Sequence, residues 1–149
     1  MKLVRTLIVP IMHYHALVYG NFDSASKGKL QLVINSAARY VYNKRKYDHI
    51  SNEARNILNC DISSFYNVIN LVFLHKLINS QCPLYLYEKL NFAQSLRTFN
   101  LIKPVHQYLV TSRTFFVSAI GLWNSLPFAI KKIQNQGLFK MAVRNQFYF

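Results

Sequence analysis

Acidic residues are scarce in this sequence. Among 149 residues there are five, Asp23, Asp48, Glu53, Asp61 and Glu88, against eighteen Lys and Arg. No two aspartates are adjacent, and no acid follows Glu88. Phosphoryl chemistry on two metal ions needs carboxylates gathered around the cations, and this pattern gives no candidate set for it. Glycine and proline are also few, at four each. A sandwich or barrel needs many turns, so the shortage favours long helices. The two cysteines, Cys60 and Cys82, lack the close spacing of zinc ligands, and His13 and His15 have no second pair to complete a site. The expectation is no metal, no cofactor, and two buried free thiols in a reducing compartment. There is no Gly-rich phosphate loop and no Gly-x-Ser-x-Gly elbow. Nor is there a clean apolar run of about 18–20 residues. Val68 to Ile78 comes nearest and contains Asn70, His75 and Lys76. The apolar stretch from Leu7 to Met12 is short, is broken by Pro10 and runs into His13, which argues against a signal peptide. These features predict a cytoplasmic or nuclear protein, not secreted and with no membrane partner.

What is present is apolar and basic. Apolar residues make up 52% of the chain, enough to build a core, and the net charge is +13. Such a field attracts polyanions, most commonly RNA or DNA. A blander source competes: Phe, Tyr, Met, Ile, Asn and Lys are abundant and share AT-rich codons, so base composition alone can supply lysine.

Hydrophobic spacing predicts a mainly α fold in a single helical domain. Residues 2–19 read as a helix interrupted or kinked at Pro10 and ended by Gly20-Asn21. Asp23-Ser24 reads as the cap of the clearest helix, in which Leu30, Val33, Ile34, Ala37, Ala38 and Val41 form one stripe. A polar turn follows at Tyr47 to Ser51, with Ser51 or Asn52 as the cap of a short helix through Leu58. Asp61 or Ser63 begins a third long helix, apolar almost all round and hence central, which ends near Cys82-Pro83. A short helix is expected near Leu84 to Leu90. Weak periodicity over 91–113 suggests a loop with short strands around Leu96–Ile102 and Tyr108–Thr111. Further helices are expected over Ala119 to Leu126, stopped by Pro127, and over Phe139 to Phe147.

Three stretches carry a family resemblance. The first is Leu7-Ile8-Val9-Pro10 with Tyr14 and Tyr19-Gly20. The second is Lys29-Leu30-Gln31, then Asn35-Ser36-Ala37-Ala38-Arg39-Tyr40-Val41, then Lys46-Tyr47-Asp48-His49-Ile50-Ser51. The third, and most specific, is Phe116-Val117-Ser118-Ala119 followed by Leu122-Trp123-Asn124-Ser125-Leu126-Pro127 and Phe139-Lys140. In this order and spacing they resemble the thumb and post-palm region of jockey-like non-LTR retrotransposon reverse transcriptases. The chain departs from that pattern at His13, where the family has an acid, and at Gly121, where it has Arg. The family's Trp-Leu-Pro-Ile segment and the basic residues after it are not recognisable around Leu58 to Ile62.

The resemblance implies a thumb-like helical segment over residues 1–60 and a helical C-terminal region over 61–149, whose packing an intact element completes with the polymerase palm. An exposed apolar patch on residues 3–19 follows. The candidate nucleic-acid-binding residues are Arg39, Tyr40, Lys44, Arg45 and Lys46, with Arg113 as a further phosphate contact; cations neutralise phosphates and aromatics stack on bases. In a thumb, the resemblance implies, such a helix lies along the template–primer minor groove. Its blander reading is a solvated basic helix end that complements the helix dipole. Trp123, Asn124, Leu126 and Pro127 read as a structural motif: a tryptophan anchor packing with Leu126 and Phe139, and a turn closed locally by Asn124 and Ser125. The functional expectation is a non-catalytic fragment of an RNA-directed DNA polymerase with residual RNA or DNA binding. The alternatives are a helical protein-interaction module and a decayed reading frame without function.

Overall fold

The structure is a computed structural model that describes residues 2–14, 16–19, 23–94, 98–105 and 114–148. The fold is mainly α, in one domain. In chain order the helices are α1 (Lys2–Tyr14), α2 (Ala16–Tyr19), α3 (Ser24–Tyr42), α4 (Ser51–Leu58), α5 (Ile62–Ser80), α6 (Leu84–Tyr87), α7 (Phe115–Ser125), α8 (Phe128–Lys131) and α9 (Gln136–Phe147). No strand occurs among the described residues; Phe92 and Leu101 form one isolated antiparallel bridge.

α5 is the centre of the molecule. Its 19 residues bury Phe65, Tyr66, Val68, Leu71, Leu74 and Leu77 on several sides, and it contacts α2, α3, α6, α7 and α9. Asp61 starts it, accepting from the Ser64 amide at 3.4 Å, and Gln81 ends it in the left-handed region at φ 52°. The N-terminal half of α5 closes a first core with Val4, Met12, Ile34, Ala38 and Ile57. The C-terminal half closes a second with Leu90, Ile120, Trp123, Phe139 and Val143. Within Ser51–Ser80, the stretch that α4 and this helix span, an 18-residue window has a mean hydropathy of 1.4, long and apolar enough to cross a membrane. The stretch contains Val68 to Ile78, the run that comes nearest to a span in the sequence. Some 56% of that window is buried inside the fold, which is why a core helix is apolar on all sides.

Several expectations change. α1 runs through Pro10 without interruption. Val4 and Met12 are anchored in the core on either side of the proline, and Pro10 itself is exposed. Packing of that face offsets the roughly 3 kcal/mol that an interior proline costs. The proposed stop at Gly20-Asn21 lies outside the described residues. On α3, Asp23 caps as expected, accepting from the Ser26 amide at 3.1 Å, but Val33 is 51% exposed. α3 packs chiefly on α4, which covers the Ile34–Ala37–Ala38 line and leaves the edge of the stripe in solvent. Neither Ser51 nor Asn52 caps α4; Ile50 holds that position with no side-chain bond. Arg5 of α1 ties the other end of α4, donating to the carbonyls of Ile57 (3.1 Å) and Asn56 (2.8 Å) and to Asn59 Oδ1 (3.0 Å).

α6 is shorter than expected, and α7 begins at Phe115 rather than Ala119. Leu126 is extended, as a residue before proline must be, and α8 then forms beyond Pro127. α9 begins at Gln136, where Asn135 Oδ1 accepts from the Gly137 and Leu138 amides at 2.8 and 3.1 Å. The expected strand at Tyr108–Thr111 lies outside the described residues. The described part of Leu96–Ile102 forms no strand: Asn100 and Ile102 bond the backbone of Ala93 and Asn91, and Leu101 bonds the side chain of Asn124.

Candidate nucleic-acid interface

The basic cluster lies where α3 gives way to a tight turn. Asn43 adopts the left-handed region at φ 50° and closes the helix. The chain then doubles back, with Asp48 Oδ2 accepting from the Arg45 amide at 2.8 Å and the Asp48 amide donating to the Arg45 carbonyl at 3.2 Å. This pins Lys44, Arg45 and Lys46 on a short loop, all exposed. Tyr40 and Tyr47 flank them with 87% and 90% of their surfaces in solvent. Lys46 Nζ sits 5.6 Å from the Tyr47 ring centroid, and Lys44 pairs with Glu53 of α4 at 3.9 Å. At that length, with Lys44 exposed and Glu53 half-buried, the pair is worth about 1 kcal/mol at most.

Arg39 belongs to this cluster in sequence but only half-way in space. It is partly buried, and its Nε is enclosed without a hydrogen-bond partner. Arg113 lies outside the described residues. The other lysines divide. Lys131 counts toward the bulk charge but is buried: Nζ donates to Asn100 Oδ1 (2.8 Å) and the Asn124 carbonyl (3.1 Å), and burial pulls its pKa below the ordinary lysine value. Lys76, Lys140 and Arg144 instead line a common groove, a second cationic locus that the sequence reading did not single out. Its signal was faint: Lys140 and Arg144 are four apart on one helix, while Lys76 is distant in sequence.

The Trp-Asn motif is built into the fold. Trp123 is 3% exposed, its Nε1 donates to the Phe99 carbonyl at 2.8 Å, and its ring tilts against Phe139 at 5.9 Å. Leu126 lies in the same buried cluster, while Pro127 is exposed and opens α8. Ser125 does bond locally, donating to the Leu122 carbonyl at 2.7 Å. Asn124 does not. Its Oδ1 accepts from the Leu101 amide at 2.9 Å and its Nδ2 donates to the Leu101 carbonyl at 2.8 Å. A side-chain amide carries one acceptor and one donor side by side, so it pairs with both backbone groups of one residue as a neighbouring strand would.

Among the described residues no three of His, Cys, Asp and Glu gather as a metal site. Cys60 is buried, and its thiol is pushed up to about 11, mainly by burial; Cys82, expected to be buried too, is exposed because it lies just past the end of α5. His75, 2% exposed, stacks on Phe139 at 3.9 Å, and its Nε2 donates to the Ile133 carbonyl at 2.6 Å. In that tautomer Nδ1 is the acceptor facing Asn79 Nδ2 at 3.4 Å, and the 3.0 Å approach of the same amide to Nε2 is a contact between donors. Burial holds the His75 pKa below the usual histidine value.

Compared with protein-family models, curated proteins and solved structures, the chain matches none. Its own surface therefore carries the functional argument.

Proposed function

We propose that this chain is a non-catalytic C-terminal fragment of a retrotransposon RNA-directed DNA polymerase that retains RNA or DNA binding at the end of α3. The observation that supports the reading most is the pairing of two almost fully exposed tyrosines, Tyr40 and Tyr47, with Lys44, Arg45 and Lys46 on one pinned loop. Exposed aromatics beside unburied cations suit a single strand, whose bases stack while its phosphates are neutralised. Acidic residues are too few and too scattered for two-metal catalysis, so the polypeptide binds without extending a primer.

The test is single-stranded RNA affinity over a salt series. Changing Lys44, Arg45 and Lys46 together to Ala is expected to lower affinity at low salt by about tenfold or more. The slope of log K against log salt should fall by about two, near 0.7 per lost phosphate contact. Unchanged affinity and slope would remove the site. Magnesium-dependent primer extension by the purified chain would remove the non-catalytic reading.

A second reading, a helical protein-interaction module, has its own observation. Leu3, Leu7, Ile11, Tyr14 and Val18 line one side of α1 and α2 and are 58–81% exposed. That ridge, on residues 3–19, is where an intact polymerase would rest on its palm. An interface of this kind gains affinity from apolar burial and keeps it at high salt, which separates it from phosphate contacts.

A further inference from the structure

The groove between α1–α2, α5 and α9 joins an apolar floor to a cationic rim. Its floor is aliphatic and aromatic, from Leu17, Val68, Ile69, Val72 and Phe73. Its rim carries three cations, Lys76 from α5 and Lys140 and Arg144 from α9, and no carboxylate lines it. The volume is about 260 Å³, just below the roughly 300 Å³ at which drug-sized ligand cavities begin. Lys140 and Arg144 stand one helical turn apart, hence on the same face. Tyr148 closes one end, with the Arg144 guanidinium 5.8 Å from its ring. His13 packs edge-on against Phe65 at 5.4 Å, and burial, with Lys140 and Arg144 close by, holds its pKa below the usual value, so near neutral pH the cations are the lysines and the arginine.

We propose that this groove binds a medium-chain carboxylate, with the alkyl chain in the apolar trough and the carboxylate at the Lys140–Arg144 rim. Charge sets the sign of the ligand: cations without a lining acid leave a field that an anion neutralises. The floor sets its body. A nucleobase carries polar edges along its length and would leave them unpaired against Val68, Ile69 and Val72, at the cost of each lost hydrogen bond, whereas an alkyl chain leaves none. The site is separate from the α3 loop and shares none of its residues.

The experiment is calorimetric titration of the whole chain with dodecanoate below its micelle concentration, with dodecanol and dodecyltrimethylammonium as controls. Dodecanoate is expected to bind one-to-one, about tenfold or more tighter than either control. K140Q/R144Q should lower dodecanoate affinity to that of dodecanol with the circular dichroism spectrum unchanged, since both side chains are exposed. Val72→Trp, which fills the trough, should abolish binding. If a variant misfolds, the order of the three ligands on the unaltered chain still decides. Absence of saturable binding, equal affinity for the ammonium amphiphile, or displacement of dodecanoate by short single-stranded RNA would each overturn the assignment.

Discussion

Asn124 commits both ends of its amide to one backbone residue, Leu101, while its own carbonyl receives Lys131. Removing the side chain strands an N–H and a C=O in a partly buried seam. Asn124→Ala is therefore expected to lower stability by about 2–4 kcal/mol in urea unfolding, more than one hydrogen bond alone. Asn124→Asp keeps the acceptor but sets a carboxylate against the Leu101 carbonyl, and should be no better than Ala. His75 gives a pH dependence whose sign follows from its lowered pKa. The unfolded chain takes up a proton at a higher pH than the folded one, so stability is full above the unfolded value near 6.5 and falls as pH drops through it toward the folded value. His13 shifts the same way. Urea midpoints from pH 7.5 down to pH 5 should decrease, and His75→Gln should reduce that slope without abolishing it.

Among the elements, capping was the most legible feature of the sequence, because an Asp before an apolar-periodic run acts through its nearest amides. Asp23 and Asp61 hold the positions that local chemistry gave them. Asp61→Ala should destabilise by about 1 kcal/mol, with Asp61→Ser recovering most of it. Gln81 ends α5 at φ 52°, a region glycine enters freely, so Gln81→Gly is expected to raise stability by up to about 1 kcal/mol. What was not legible depended on distant parts of the chain. Pro10 stays inside a helix because other elements hold α1 on both sides of it. Leu101 bridges Phe92 on one edge and gives its own amide and carbonyl to the side chain of Asn124, 23 residues away in sequence. Val33 belongs to the apolar stripe by spacing, yet nothing covers it. At the candidate interface, the basic run and its flanking tyrosines were legible as residue types, but their exposure was not. The partial burial of Arg39 and the burial of Lys131 needed the packed structure.

For the molecule as a whole, the ridge of α1 should govern association. Changing Leu7 and Ile11 together to Lys is expected to suppress self-association in sedimentation velocity while leaving the urea midpoint within about 0.5 kcal/mol, because both side chains already face water. The larger consequence belongs to α5. One rod forms a wall of both interiors, so neither has a boundary of its own. Severing the polypeptide just before that rod would leave the leading piece with an open side and would bare Phe65 and Tyr66 on the trailing one. Each piece alone should light up a hydrophobic dye and yield quickly to protease, and mixing them should restore resistance.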